Sequence, residues 1–451
     1  MAILSEFVDE EPQDVGALLN GLRIPSNFTR YGIMEDKDTI SQLNKWKANA
    51  FNALKDLRGQ LESKRHEIQT SDLIYTCAAF QGDGDWVSED MRALSSEILA
   101  LEGEPSLFVE EILVKYVKPI FQANPHPMLS VETSRKLPRT AGGYAAAQDA
   151  YEGQVWKAHP GIGNVLLWCV QRIDTDAYER LWHLVVPPVM TLLDDFEAGY
   201  KLLGIKVVNA MLEHAPYPLL NRTGISELIL ASLNRALTFL HSPHTPAILR
   251  TAIPSATNLI VHTTEPGSEQ RFTQLCALLG DGVIGSVWMY SSEDADAVEA
   301  SIEVLPILVR ALGIGVTRYL KALIPQLMHP LHAVPCKKPR VTLQLSSLRA
   351  LGAVSQECSP RIENWRSTIV EGVAKCWVVL LGDEQTNEES EQLRHALRVV
   401  CGRLWEVAPS VRKEYIRLLE LDAAIFETLI GDVIYPHLAE ADAIDAPQHD
   451  G

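Results

Sequence analysis

The chain has 451 residues, 47% hydrophobic and 22% charged, an ordinary globular balance with ample material for a core. Its length alone corresponds to about three domains. Lys+Arg 40 against Asp+Glu 58 leaves a net charge of −18. That argues against a duplex-DNA binder, which needs clustered excess cation, and against adhesion to an anionic membrane surface.

The N-terminus, Met1-Ala-Ile-Leu-Ser-Glu, runs into Asp9, Glu10 and Glu11 and lacks the basic start and apolar core of a signal peptide. Residues 1–30, acidic and holding Pro12 and Pro25, are expected to be a flexible lead-in. Residues 31–129 form a helical region. The spacing of Ile40, Leu43, Trp46, Phe51, Leu54, Leu57 and Leu61 predicts a helix from Asp38 to Ile68. Gln81-Gly-Asp-Gly-Asp85 breaks the chain, and Ser88–Leu101 and Ser106–Ala123 read as two further helices. Residues 130–154, with Lys136, Arg139 and a Gly-Gly pair, read as a polar linker. The acidic, small-residue end, 433–451, is expected to be a disordered tail.

From 155 to 432 the apolar residues follow a helical period. Leu181, Leu184, Val185, Pro188, Val189 and Leu192 form one stripe, and Ile225, Leu228, Ile229, Leu233, Ala236, Leu237 and Leu240 another. Strand-like alternation is nearly absent, so the fold class is all-α. Breakers sort the helices into pairs. First helices fall near 178–193, 225–240, 268–290, 316–331 and 361–381, with partners near 197–214, 244–263, 292–313, 341–357 and 388–407. The first-helix starts are 47, 43, 48 and 45 residues apart, against a HEAT/armadillo period of about 40–47. Thr245-Pro246 and Ser359-Pro360 each offer a capping oxygen ahead of a first-turn proline. Pro187 and Met190 recur as Pro325 and Met328, 138 residues on, or three periods of 46. A mid-helix proline bends its helix, which suits a curved stack. The expected architecture is a HEAT/armadillo-like α-solenoid of about five to six helix pairs with a helical N-terminal extension. One pair cannot bury its own stripe, so stacked neighbours share one continuous core.

Motifs of chemistry are few. Gly280-Asp-Gly282-Val-Ile-Gly285 has dinucleotide-loop spacing but follows a helix rather than a strand, so it reads as a glycine-rich break. His329, His332 and Cys336 lack a nearby fourth ligand for a structural zinc. Asp194 and Asp195 are adjacent and point apart, so they suit a helix start better than an acid/base dyad. The cysteines, at positions 77, 169, 276, 336, 358, 376 and 401, form no C-x-x-C pair and read as small buried hydrophobes. No apolar run approaches the roughly 18 residues of a membrane span; Arg310 interrupts the nearest, Val304–Val316. The expectation is a soluble intracellular protein with no catalytic residues, no cofactor, no metal, no nucleic-acid partner and no membrane partner.

The run Trp182-His-Leu-Val-Val-Pro187-Pro188-Val-Met-Thr-Leu192-Leu193-Asp194-Asp195-Phe-Glu-Ala-Gly-Tyr200-Lys201-Leu-Leu-Gly204 resembles the signature of the Tti-two family, the Tel-two-interacting proteins two. Arg222-Thr-Gly224, Leu240-His-Ser-Pro243-His-Thr-Pro246, and Leu312-Gly-Ile314 leading to Arg318-Tyr-Leu-Lys-Ala-Leu-Ile-Pro325 add to it. The resemblance implies a subunit of the Triple T complex, with Tel-two and Tti-one type partners. That complex is a co-chaperone which, with the ninety-kilodalton heat-shock chaperone, supports phosphatidylinositol-3-kinase-related kinases, including TOR and the DNA-damage checkpoint kinases. Its setting would be the cytoplasm, with the nucleus as a second compartment. The family-typical positions are Trp182, Pro187, Pro188, Asp194, Asp195, Lys201 and Gly204. Lys201 lies where it can pair with Asp194 or Asp195, and Gly204 suits close helix packing. On repeat form alone, a HEAT-repeat transport receptor or a phosphatase-type regulatory scaffold is the alternative.

Charge is unevenly distributed. The 53 residues between Glu303 and Glu357 contain no acid but hold Arg310, Arg318, Lys321, Lys337, Lys338, Arg340 and Arg349. Two readings stand. Arg318, Lys321, Lys337, Lys338 and Arg340 form a basic patch that docks an acidic partner segment, or these cations neutralise acidic neighbours inside the fold.

Overall fold

The computed structural model describes residues 15–28, 37–63, 70–101, 103–141, 153–332, 340–382 and 388–444. Among them there is no strand, only an isolated antiparallel bridge between Leu129 and Lys136. The chain divides into two units, Met1–Leu233 and Asn234–Gly451. The division falls within a helix rather than in the stretch 130–154.

The first unit begins earlier than the sequence suggests. Helix α1 (Val15–Gly21) packs on α2 (Lys37–Ser63), and Val15, Leu18 and Leu22 are buried. Three apolar residues at helical spacing outweigh the acidic flank, so from Val15 the expected lead-in is folded. Phe28, Leu43 and Trp86 form a small core beside them. Helices α3 (Thr70–Ala78) and α4 (Glu89–Leu101) follow, then a bent helical segment, α5 (105–122), whose middle, Leu113–Val117, is π-wound. The stretch after α5 is tied down. The Leu137 N–H donates to the Met128 carbonyl at 2.9 Å, the Lys136 N–H donates to the Thr223 carbonyl at 3.0 Å, and the Lys136 ammonium pairs with Glu227. Backbone laid against helices must find partners, and these bonds supply them. Residues 130–141 are therefore a strap; 142–152 lie outside the described residues.

Four further helices complete this unit: α6 (Ile162–Val170), α7 (Tyr178–Leu193), α8 (Ala198–His214) and α9 (Tyr217–Thr223). Helix α10 (Ile225–Ala236) crosses the division. Buried Asn164 on α6 donates to the carbonyls of Ala79 and Asp83, both at 3.0 Å, fixing the break after α3.

The second unit is built in two layers. One holds α11 (Thr245–Thr263), α13 (Ala295–Leu312), α15 (Val341–Glu357), α17 (Glu388–Val407) and α19 (Ala423–Ile444), each packed on the next. The other holds α12 (Glu269–Ala277), α14 (Leu320–Met328), α16 (Arg366–Gly382) and α18 (Arg412–Leu421). These are the alternating partners that the periodicity expects, plus a final pair. That last pair extends helix to Ile444, past the expected start of the tail.

Several first helices differ in detail. The third is α-helical only to Ala277 and continues as a π-helix over Leu278–Trp288. The G-x-G-x-x-G run lies inside it and is not a break. A side chain at Gly280 would meet the Tyr319 ring at 2.9 Å, and one at Gly282 would meet Leu237 at 2.7 Å. These glycines let neighbours approach. The fourth begins with a 3-10 segment, Gly313–Tyr319. Thr245 does not cap its own helix: its hydroxyl accepts from the Ser242 N–H and donates to the Phe239 carbonyl, tightening the preceding loop. Ser359 makes no cap bond either; it sits in a one-turn helix, Ser359–Ile362.

The helical stretch Ala295–Leu331 is long and apolar enough to cross a membrane by length and composition, although Arg310 breaks its apolar run. In the fold, α13 packs between α11 and α15 and buries Ile302, Leu305, Leu308 and Val309 against them. The six described cysteines are buried and form no disulfide among the described residues. Burial pushes the thiols of Cys376 and Cys401 up to about 12 and that of Cys358 to about 11, so they remain protonated and inert. Cys336 lies outside the described residues.

Candidate functional site

The signature residues converge on the turn between α7 and α8. Gly204 sets its geometry. A Cβ there would lie 2.5 Å from the Leu193 nitrogen and 2.6 Å from its Cα, so only glycine lets α8 reach the end of α7. Lys201, one turn earlier on α8, is 1% exposed, and its ammonium donates to the Leu193 carbonyl at 2.7 Å. That carbonyl is among the last four of α7, which have no partner inside the helix, and a cation suits this negative dipole end. Lys201 thus closes a helix end from inside the core.

The two aspartates go to different partners. The Asp194 carboxylate meets His126 Nε2 at 3.1 Å, both side chains nearly buried. His126 Nδ1 accepts the Met128 N–H at 3.3 Å, so the ring proton sits on Nε2 and points at Asp194. Asp195 is fully buried. Its Oδ1 accepts the Glu197 N–H at 2.8 Å, and its Oδ2 lies 2.9 Å from Lys157 Nζ. Burial pushes the Asp195 carboxyl above its ordinary range, opposed by the Lys157 ammonium and the Glu197 amide. Lys157 Nζ also reaches Glu197 at 2.7 Å and lies 4.2 Å from the Phe196 ring centroid and 5.1 Å from that of Tyr200. The pair therefore braces the N-terminus of α8, and the two carboxylates do not form a dyad. Lys157 and His126 lie 38 and 68 residues from their partners, and no spacing rule in the sequence points to either.

Trp182 is buried at 5% exposure, a core residue of α7. Pro187 and Pro188 lie inside the helix, Pro188 buried and Pro187 half-buried. With His183 and Leu184 they border a cavity of about 270 Å³, completed by Phe121, Leu129 and their neighbours.

Of the expected basic patch, Arg318, Lys321 and Arg340 are among the described residues. Arg340 is paired with Asp296 at 2.6 Å and Glu299 at 3.3 Å, the neutralising role. Arg318 stacks its guanidinium over Phe272 at 5.6 Å, and Lys321 is exposed on α14. Lys337 and Lys338 lie outside the described residues. His329 and His332 are exposed just after α14. Among the described residues no group of three or more His, Cys, Asp or Glu could hold a metal.

Comparison with known protein families matches residues 73–335 to the Tti2 family, more than half of the chain. The chain belongs to the Tti2 family. The match contains the whole α7–α8 turn, and also His126 and Lys157, the partners that the signature run omits. It ends before α15, so the last helices of the second unit lie beyond it. Tti2 membership brings a scaffold-type family within a hetero-complex.

Proposed function

We propose that this chain is a non-catalytic scaffold, the Tti2-type subunit of a Triple T co-chaperone complex. Its partners are Tel-two and Tti-one type subunits. With the ninety-kilodalton heat-shock chaperone the complex supports folding, assembly and stability of phosphatidylinositol-3-kinase-related kinases, in the cytoplasm and the nucleus. The observation that carries this reading is the family match over 73–335 together with the use of its signature residues. Gly204, Lys201 and Asp195 are spent on helix packing and on bracing one turn, as a scaffold requires. The serial packing of α11, α13, α15, α17 and α19 supports an α-solenoid of HEAT type, whose long surface suits protein partners.

Affinity purification of the tagged full chain, followed by mass spectrometry, tests the reading. Tel-two and Tti-one type proteins are expected as the main recovered partners. Recovery of transport cargo or phosphatase subunits in their place would sink it. The acidic-docking role of the basic interval rests on Arg318, Lys321, Lys337 and Lys338. Charge reversal at the two lysines 337 and 338 is expected to lower partner recovery without lowering the melting temperature.

A further inference from the structure

A groove opens on the second unit between α16 and α18, with the first turn of α19 behind it. Val370 and Ala374 of α16 and Phe426 of α19 form its buried floor. Val378, Val379 and Leu421 border it too, at 44%, 44% and 77% exposure. Apolar side chains gathered and left this open mark an interaction site. The walls are held before anything binds. The Ser367 hydroxyl donates to the Glu414 carboxylate at 3.0 Å, and Arg366 pairs with the same carboxylate at 3.1 Å, joining α16 to α18 at one end. The Trp377 indole N–H donates to the Ile425 carbonyl at 3.0 Å, joining α16 to α19. These walls lie beyond residue 335, where the family match ends, so membership does not account for this surface.

Shape narrows the class of occupant. The groove follows α16 from Ser367 to Val379, about three turns, and α18 from Glu414 to Leu421, about two. A trough of about 860 Å³ along two helices suits a short helix laid into it. An added strand finds no sheet edge, since there is no strand among the described residues. A second copy pairing this face with itself would set one concave surface against another. Charge narrows the class further. Both acids that border the groove are engaged, Glu371 with Lys375 and Glu414 with Arg366. Arg417, exposed on α18, is left without an acidic partner among the described residues.

We propose that this groove docks an amphipathic helix of a partner protein, whose apolar stripe is flanked by an acidic residue that pairs with Arg417. The proposal deepens the scaffold reading and rests on it in taking the partner to be a protein. The stripe covers Val378, Val379 and Leu421, and burial of that surface supplies the affinity. The guanidinium fork takes a carboxylate through two parallel bonds and so fixes direction. A helix docked in reverse carries its acid away from α18 and leaves Arg417 unmatched. The chain as a whole carries −18, so its long-range field opposes an acidic ligand. A preference for one therefore reports a local cation.

The test uses the full chain and two synthetic helical peptides. Both carry leucine at i, i+3, i+4 and i+7; one is flanked by glutamate and the other by lysine. By fluorescence anisotropy the glutamate peptide is expected to bind saturably and several-fold tighter than the lysine peptide. Arg417→Glu is expected to reverse that order. Leu421→Asp is expected to abolish saturable binding of both. Each variant should leave the melting temperature unchanged, because both side chains are exposed. Equal affinities or a preference for lysine in the wild type overturn the proposal, as does an order that survives Arg417→Glu or binding that survives Leu421→Asp. A wild-type dimer that Leu421→Asp turns into a monomer also overturns it, in favour of a second copy. Because the peptides are not partner subunits, their failure leaves the affinity purification above to decide the scaffold reading separately.

Discussion

The α7–α8 hairpin and the stack from α11 to α19 are both made of paired helices, yet they are held together differently. In the stack, buried Leu305, Leu308, Leu351 and Val354 supply the cohesion. Ion pairs such as Arg250–Glu303 and Arg340–Asp296 add to it at the exposed rim. In the hairpin, Asp195 and Lys201 are inside, and His126 with Asp194 nearly so. An apolar stripe accepts any side chain of suitable volume, whereas a buried charge accepts only its partner. The family signature falls on the second kind of contact, where a substitution has no graded alternative.

The sharpest way to break this contrast is Lys157→Met. It strips Asp195 of its cation in a fully buried site and should cost about 3–5 kcal/mol, read by denaturant unfolding. Adding Asp195→Asn should recover most of the loss; additive costs in the double variant would mean that the pair does not act as a unit. In the stack, Leu305→Ala should cost about 2–5 kcal/mol and Leu305→Met under about 1.5 kcal/mol. A methionine as damaging as alanine would erase the distinction between the two regions. Gly204→Ala comes next, at about 1–3 kcal/mol from overpacking against Leu193 backbone, seen as a lower melting temperature.

A pH series sharpens the comparison further. The folded Asp195 carboxyl binds its proton more tightly than the unfolded one, whose value is near 3.8. The folded state then holds more protons, so this group's contribution to stability falls as pH rises from the unfolded value through the raised one. The stability difference between wild type and Asp195→Asn should decline across that window and be level below it. A difference rising with pH would contradict the burial argument. Smallest of all, Arg250→Gln should change stability by about 1 kcal/mol or less, because its pair with Glu303 is exposed. A larger loss would show that the stack, too, depends on specific charges.

Legibility in the sequence follows the same line. The helical pairing was readable because each stripe repeats within one helix, so Ile225, Leu228 and Ile229 of α10 announce a buried face without reference to anything distant. Its deviations lie where local rules admit more than one outcome. Over the π-wound 278–288, Gly280 and Gly282 admit close neighbours, Tyr319 and Leu237. Thr245 turns its hydroxyl backward to Phe239. The hairpin was legible as a signature but not as a mechanism. Lys157 and His126 carry no periodic signal, and only the fold brings them to Asp195 and Asp194. The strap at 130–141 looked like a linker because its hydrogen bonds are to backbone, which composition does not reveal.

The strap and its neighbours also bear on how the protein reaches this state. In the first unit, closing contacts join residues far apart in sequence: Lys206 with Asp83 across 123 positions, Lys136 with Glu227 across 91, and Asn164 with Ala79 across 85. In the second, neighbouring helices are joined across 47 to 53 positions, as in Arg403–Gln356 and Arg250–Glu303. Higher contact order slows folding, because more chain entropy is lost before any contact rewards it. The strap of the first unit therefore cannot close until residue 227 has been made.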